Sequence, residues 1–186
     1  MREIEILVKV LESKKSALKK LSRFRIDHIS NIADQYYYIK DQRGFLPTRN
    51  KSATEMLRVR KKDGKSYITY KKDVFTKTRW AYADEHETEI IDAKVVSDIL
   101  EKLGFKPLVK VINKRTICYY KEFEICIEEV KGLGLFLEIE CIKPGKKNSE
   151  KVREDIITLI RNIGIKVSDE MSMGKGELMY RKKHKI

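Results

Sequence analysis

Four stretches of the sequence stand out for setting two like charges one residue apart: Glu3-Ile4-Glu5, Arg58-Val59-Arg60, Glu87-Thr88-Glu89 and Glu138-Ile139-Glu140. Every second residue of a β-strand points to the same face. If these segments are strands, each pair stacks two like charges on one side of a sheet, where they repel. The arrangement makes sense if something neutralises it. Divalent cations suit the glutamates and polyphosphate suits the arginines. A single Glu-x-Glu strand is satisfied by a solvated outer face. Three of them, with Arg-x-Arg, and each with apolar residues on the opposite face, favour an interior lumen.

Residues 3–10 set the pattern: Ile4, Ile6, Val8 and Val10 fall on one face, and Glu3, Glu5, Leu7 and Lys9 on the other. Ser13 caps a helix over 14–21, and 23–38 is rich in β-formers. Residues 41–52, with Gly44, Pro47 and Asn50, read as a mobile loop. Residues 55–60 and 66–72 form a hairpin in which Asp63-Gly64 supplies the turn. A second loop is expected over 76–81 and an alternating strand over 84–91. A helix over 93–103 ends at Gly104. Strands follow at 108–119, 124–129 and 135–142, then a helix over 149–162 stopped by Gly164. The basic tail 181–185 reads as frayed. The expected architecture is α+β, a single domain over 1–186. Its largely antiparallel sheet curls into a closed or nearly closed β-barrel flanked by helices, because the polar strand faces need a wet interior.

Forty-one Lys and Arg against 28 Asp and Glu leave a net charge of +13. That excess fits a polyanion such as nucleotide, polyphosphate, RNA or an acidic membrane surface. It equally fits a heavily solvated surface. No apolar run is long enough to cross a bilayer, and the alternating N-terminus does not read as a signal peptide. The expectation is therefore a cytoplasmic protein without membrane attachment. Cys118, Cys126 and Cys141 lack CxxC spacing and read as reduced core thiols. His28, His86 and His184 are scattered, which suggests neither a zinc site nor a histidine-based triad.

In order along the chain, several segments resemble the CYTH family, which joins class IV adenylate cyclases to thiamine triphosphatases and other triphosphate tunnel enzymes. Glu3-Ile4-Glu5 is similar to the start of that family's ExExK signature, and Asp34-Gln35-Tyr36-Tyr37 to its DxYF segment. Leu57-Arg58-Val59-Arg60 and Thr69-Tyr70-Lys71 resemble its LRxR and TxK strands, and Glu87-Thr88-Glu89 its next acidic strand. Arg115, Glu128-Glu129-Val130 and Gly134-Leu135-Phe136-Leu137-Glu138-Ile139-Glu140 follow its closing pattern. The resemblance implies that Arg58, Arg60, Lys71, Arg115 and Lys9 cradle a triphosphate. It implies Glu5, Glu138 and Glu140, with Glu3, Glu87 and Glu89 close by, as the acids for Mg²⁺ or Mn²⁺. Glu128 and Lys9 become the candidates for assisting the chemistry, Glu128 by proton transfer.

The partners so implied are a nucleoside triphosphate, thiamine triphosphate or inorganic polyphosphate, with nucleic acid less favoured, handled by a monomer or homodimer. The reaction is either hydrolysis or adenylate-cyclase-like ring closure, both of which use one cradle. Two departures favour an alternative, a non-catalytic binder of nucleotide, polyphosphate or RNA. Leu7 stands where the signature has lysine, and Asn113 begins what is usually a KxR pair. Lys9, on the same strand face as Glu5, is the expected substitute for the first.

Overall fold

All four charge pairs fall in strands. The structure, a computed structural model, describes residues 2–75 and 80–186. Its elements are β1 (Arg2–Glu3), β2 (Glu5–Val10), α1 (Lys14–Leu21), β3 (Ile26–Tyr38), β4 (Glu55–Lys62), β5 (Lys65–Phe75) and β6 (Trp80–Ile90). They continue with α2 (Ala93–Lys102), β7 (Lys106–Tyr120), β8 (Phe123–Val130), β9 (Gly134–Cys141), α3 (Ser149–Ile163), β10 (Val167–Glu170) and α4 (Lys175–His184). The strands make one antiparallel sheet in the order β1-β6-β5-β4-β3-β7-β8-β9-β2-β10.

That order curls the sheet nearly shut. Strands β1 and β2 are separated in sequence only by Ile4, yet β1 pairs with β6 and β2 pairs with β9. One stretch of chain therefore joins the two far sides of the sheet. The Ile4 carbonyl at the joint accepts from the Cys141 amide at 3.0 Å.

Alternation decides which face goes where. Ile4, Ile6, Val8 and Val10 join Ile125, Ile127, Leu137 and Ile139 in a core covered by Ala17 and Leu21 of α1 and by Val152, Ile156 and Ile163 of α3. A second core lies under α2, where Leu100 packs with Leu57, Val59 and Tyr37. Each helix after a Glu-x-Glu strand thus covers the outside of the sheet and leaves the charged face inward. Caps hold the helices in place. Ser13 accepts from the Ser16 amide, Asp92 from Lys94 and Val95, and Asn148 from Glu150 and Lys151. Asp63 and Gly64 turn the β4–β5 hairpin at φ 49° and 84°, the left-handed pair that a two-residue hairpin demands. All three cysteines are buried and free. Among the described residues no helix is long and apolar enough to cross a membrane.

Three expectations change. The segment 41–52 is anchored rather than loose: a short turn, Arg43–Phe45, buries Phe45 against Tyr70 and Phe105. In the loop expected over 76–81, residues 76–79 lie outside the described residues, whereas Trp80 and Ala81 open β6. The basic tail belongs to helix α4. There Arg181 bonds Glu177 one turn back at 2.7 Å and reaches the carbonyls of Arg49 and Lys51, so its charges are tied down.

Candidate functional site

The inward strand faces and the start of α4 enclose a cavity of about 780 Å³. Its lining includes Arg58 and Arg60 from β4, Lys71 from β5, Arg115 from β7 and Lys175 from α4. Glu3, Glu5, Glu87, Glu138 and Glu140 line the same space. Cations and acids from eight elements therefore meet in one enclosure. They meet because strand parity sends them inward: Tyr36 on β3, Arg58 on β4, Thr69 on β5 and Glu87 on β6 stand in register across four strands.

On one wall Asp34, 1% exposed, takes Arg60 in a two-pronged pair at 2.7 and 2.8 Å and lies 3.9 Å from Arg58. Burial works against the Asp34 charge. The hydrogen bonds and charge of Arg60, with Arg58 nearby, outweigh it and hold the carboxyl at about 2. Arg58 also donates to Thr69 Oγ1 at 3.2 Å, and Thr69 donates to Glu87 at 2.6 Å. The two arginines are thus braced by Asp34 and Thr69 while both line the cavity.

Across the lumen Lys175 enters from α4. Its ammonium donates to Glu128 at 2.8 Å and to Glu138, while Arg115 meets Glu128 at 2.7 Å and Glu138 at 3.0 Å. Burial opposes the charge on Glu138, but Lys175 and Arg115 win and keep its carboxyl well below the usual range. Glu128 is completely buried and also accepts from Asn113 Nδ2. It stands behind the cations and does not line the cavity. Asn113 Oδ1 is left buried and unpartnered.

A third group is acidic. Lys71 bridges Glu3 and Glu85, the latter at 2.9 Å. Glu5 and Glu140 face each other in register on β2 and β9. Burial, then the charges of Glu3 and Glu138, push Glu5 up to about 7. Burial with Glu3 and Glu5 pushes Glu140 to about 9. Lys71, with Lys175 for Glu5, offsets only part of this, and incomplete compensation is the state a divalent cation relieves. Their hard oxygens fit Mg²⁺ or Mn²⁺. Among the described residues no three acids are gathered as a ready metal cage, because Glu3 and Glu138 already hold ammonium groups.

Two sequence candidates lie elsewhere. Lys9 is exposed and does not line the cavity; it stands opposite Phe136, with its stem near Gly134, beyond the end of the charged row. Glu89 is exposed and pairs with Lys65 at 3.1 Å. The interior cation that strand parity sought at Lys9 is supplied by Lys175. Sequence reading missed that role, and those of Asp34 and Glu85 as braces. The signal for Lys175 was Gly174-Lys175-Gly176, since glycines allow a chain to approach a wall closely.

The CYTH domain model matches residues 1–173. A Methanocaldococcus jannaschii protein named "Putative adenylate cyclase MJ0240" is 31% identical over 169 residues, covering 89% of this chain and 91% of its own. Among solved structures, the PH1819 protein of Pyrococcus horikoshii OT3 has a TM-score of 0.78 at 26% identity, over 97% of this chain and 99% of that one. The Hippeastrum protein HpAC1, described as having a dominant triphosphatase activity, shares the fold at a TM-score of 0.67 and 19% identity, over 97% and 96% of the two chains. With the family model spanning nearly the whole sequence and the same tunnel fold in solved proteins, the chain belongs to the CYTH domain family.

Proposed function

We propose that the protein binds the triphosphate of its substrate inside the tunnel and processes it with the help of Mg²⁺ or Mn²⁺. The observation that carries this reading is the convergence of Arg58, Arg60, Lys71, Arg115 and Lys175 on the cavity that also holds Glu5, Glu138 and Glu140. Each of these cations is now held by a carboxylate. Phosphate oxygens offer the same charge and the same bidentate geometry to the two arginine forks. The cradle is braced before substrate arrives, so little reorganisation is needed on binding. Glu128, packed against Asn113, Arg115 and Lys175, sets the position of those side chains. Glu5 and Glu140 are the residues that would hold the cation, which supplies charge neutralisation at the phosphates.

The test is a screen of ATP, thiamine triphosphate and tripolyphosphate with each metal, scoring released phosphate against pyrophosphate plus cyclic nucleotide. Turnover is expected, with Arg58→Ala lowering kcat/KM by roughly 100-fold or more, as for loss of a donor to developing charge. Leu7 and Asn113 favour the second reading, a binder. Tight triphosphate binding with no product from any substrate would establish it and overturn the enzyme.

A further inference from the structure

A second cluster of cations lies largely apart from the tunnel. Beside the β4–β5 turn lies a trough of about 800 Å³, with Lys61, Lys62, Lys114 and Lys131 among its walls. None of these four makes an ion pair among the described residues. A fifth lysine of the wall, Lys65, pairs with Glu89 at 3.1 Å. The two acids of the trough are engaged. Asp63 accepts from the Ser30 hydroxyl and the Asn31 amide, and Glu129 pairs with Lys14 at 2.7 Å.

Register fixes the lysines relative to one another. Lys61 pairs with Ala33, Ala33 with Ile112, and the Lys131 amide donates to the Ile112 carbonyl. Three strand spacings, about 14 Å, thus separate Lys61 from Lys131. Lys114 lies one step along, paired with Asn31 and Glu129. Between them the floor is Ala33 and the 43% exposed Ile112. The rim is basic as well. Lys182 of α4 donates to the Gly132 carbonyl, which brings the cationic last turn of that helix beside Lys131.

We propose that this trough binds the phosphodiester backbone of single-stranded nucleic acid. Lysines act as point charges toward phosphate. The short apolar floor suits sugar edges, which a bare polyphosphate lacks. Among the described residues no aromatic ring lines the trough, so bases are not stacked and sequence is not read. Apart from Lys62, which lines both cavities, the trough shares no residue with the tunnel, and the proposal does not depend on the function proposed for the tunnel.

The experiment measures anisotropy of a labelled RNA oligomer without a 5′ triphosphate, over a salt series, with inorganic polyphosphate as competitor. The intact protein should bind with an affinity that falls steeply with salt. The triple variant Lys61→Glu, Lys114→Glu, Lys131→Glu should lose affinity and flatten the log–log slope by about 2, at roughly 0.7 per phosphate contact. Arg58→Ala should leave RNA binding unchanged, and the triple variant should keep tunnel binding of tripolyphosphate, which also shows that it folds. No RNA binding, an unaltered slope in the triple variant, or capture of polyphosphate alone would each overturn the proposal.

Discussion

Lys175 separates two carboxylates that would otherwise face each other out of water. Its own side chain is almost wholly buried, and burial disfavours its charge, yet Glu128 and Glu138 hold its proton more tightly than usual. Removing one member of a buried charged group leaves the others uncompensated, at a cost of roughly 3–5 kcal/mol. Lys175→Ala should therefore lower stability by about that much in denaturant titration. Glu140 presents the reverse case. Its pKa is raised from 4.5 to about 9, so the folded state holds a proton that the unfolded chain releases as pH climbs past the ordinary value. Stability is then unaffected below that value and falls as pH rises toward the folded pKa. Glu140→Gln should stabilise the metal-free protein by about 1 kcal/mol or more near pH 8, roughly 2–4 °C in Tm, with no gain near pH 4. Equal melting shifts at both values would refute this. Arg58 and Arg60 were legible from parity, because one-residue spacing in a strand fixes the face, whereas Lys71 and Arg115 came from the family resemblance. Lys9 has the right parity but stands too far along the strand, a distinction that parity does not carry.

Helix α4 is the element whose role was hidden in the sequence. It has a weak apolar stripe and a cationic end, features that read as a frayed terminus. Its stability comes instead from tertiary seating, as is common for short helices. Gly176 lies so close to Tyr36 that an added Cβ would come within 2.6 Å of the ring. Gly176→Ala should push the start of α4 away from the wall and misplace Lys175. The expected outcome is a loss of about 1–3 kcal/mol, typical of overpacking, together with weaker tripolyphosphate binding by calorimetry. Retained affinity would show that the helix start is not fixed by that contact. By contrast, α1, α2 and α3 announced themselves through cap residues and apolar periodicity. The β4–β5 hairpin announced itself through Asp63-Gly64. The 41–52 segment was misjudged because its glycine, proline and asparagine say nothing about Phe45, whose anchoring depends on distant Tyr70 and Phe105.

For the whole molecule, the curled sheet was legible as a requirement for hiding charge, but how it closes was not. Alternation over residues 3–10 predicts a strand and is silent about its neighbours. The structure divides that strand, with Arg2–Glu3 on β6 and Glu5–Val10 on β9. A chain lacking residues 2–5 should therefore lose the β6 edge and two acids of the cavity at once. Amide exchange should then rise along β6 while β3 and β7, paired with each other in mid-sheet, stay protected. Uniform protection would show that the wall stands without its N-terminal tie. The same division has a consequence during synthesis. Residues 2–10 leave the ribosome long before their main partner, residues 134–141, is translated. Until then the nascent chain carries an apolar, alternating strand with unsatisfied edges, a segment that a chaperone would shield.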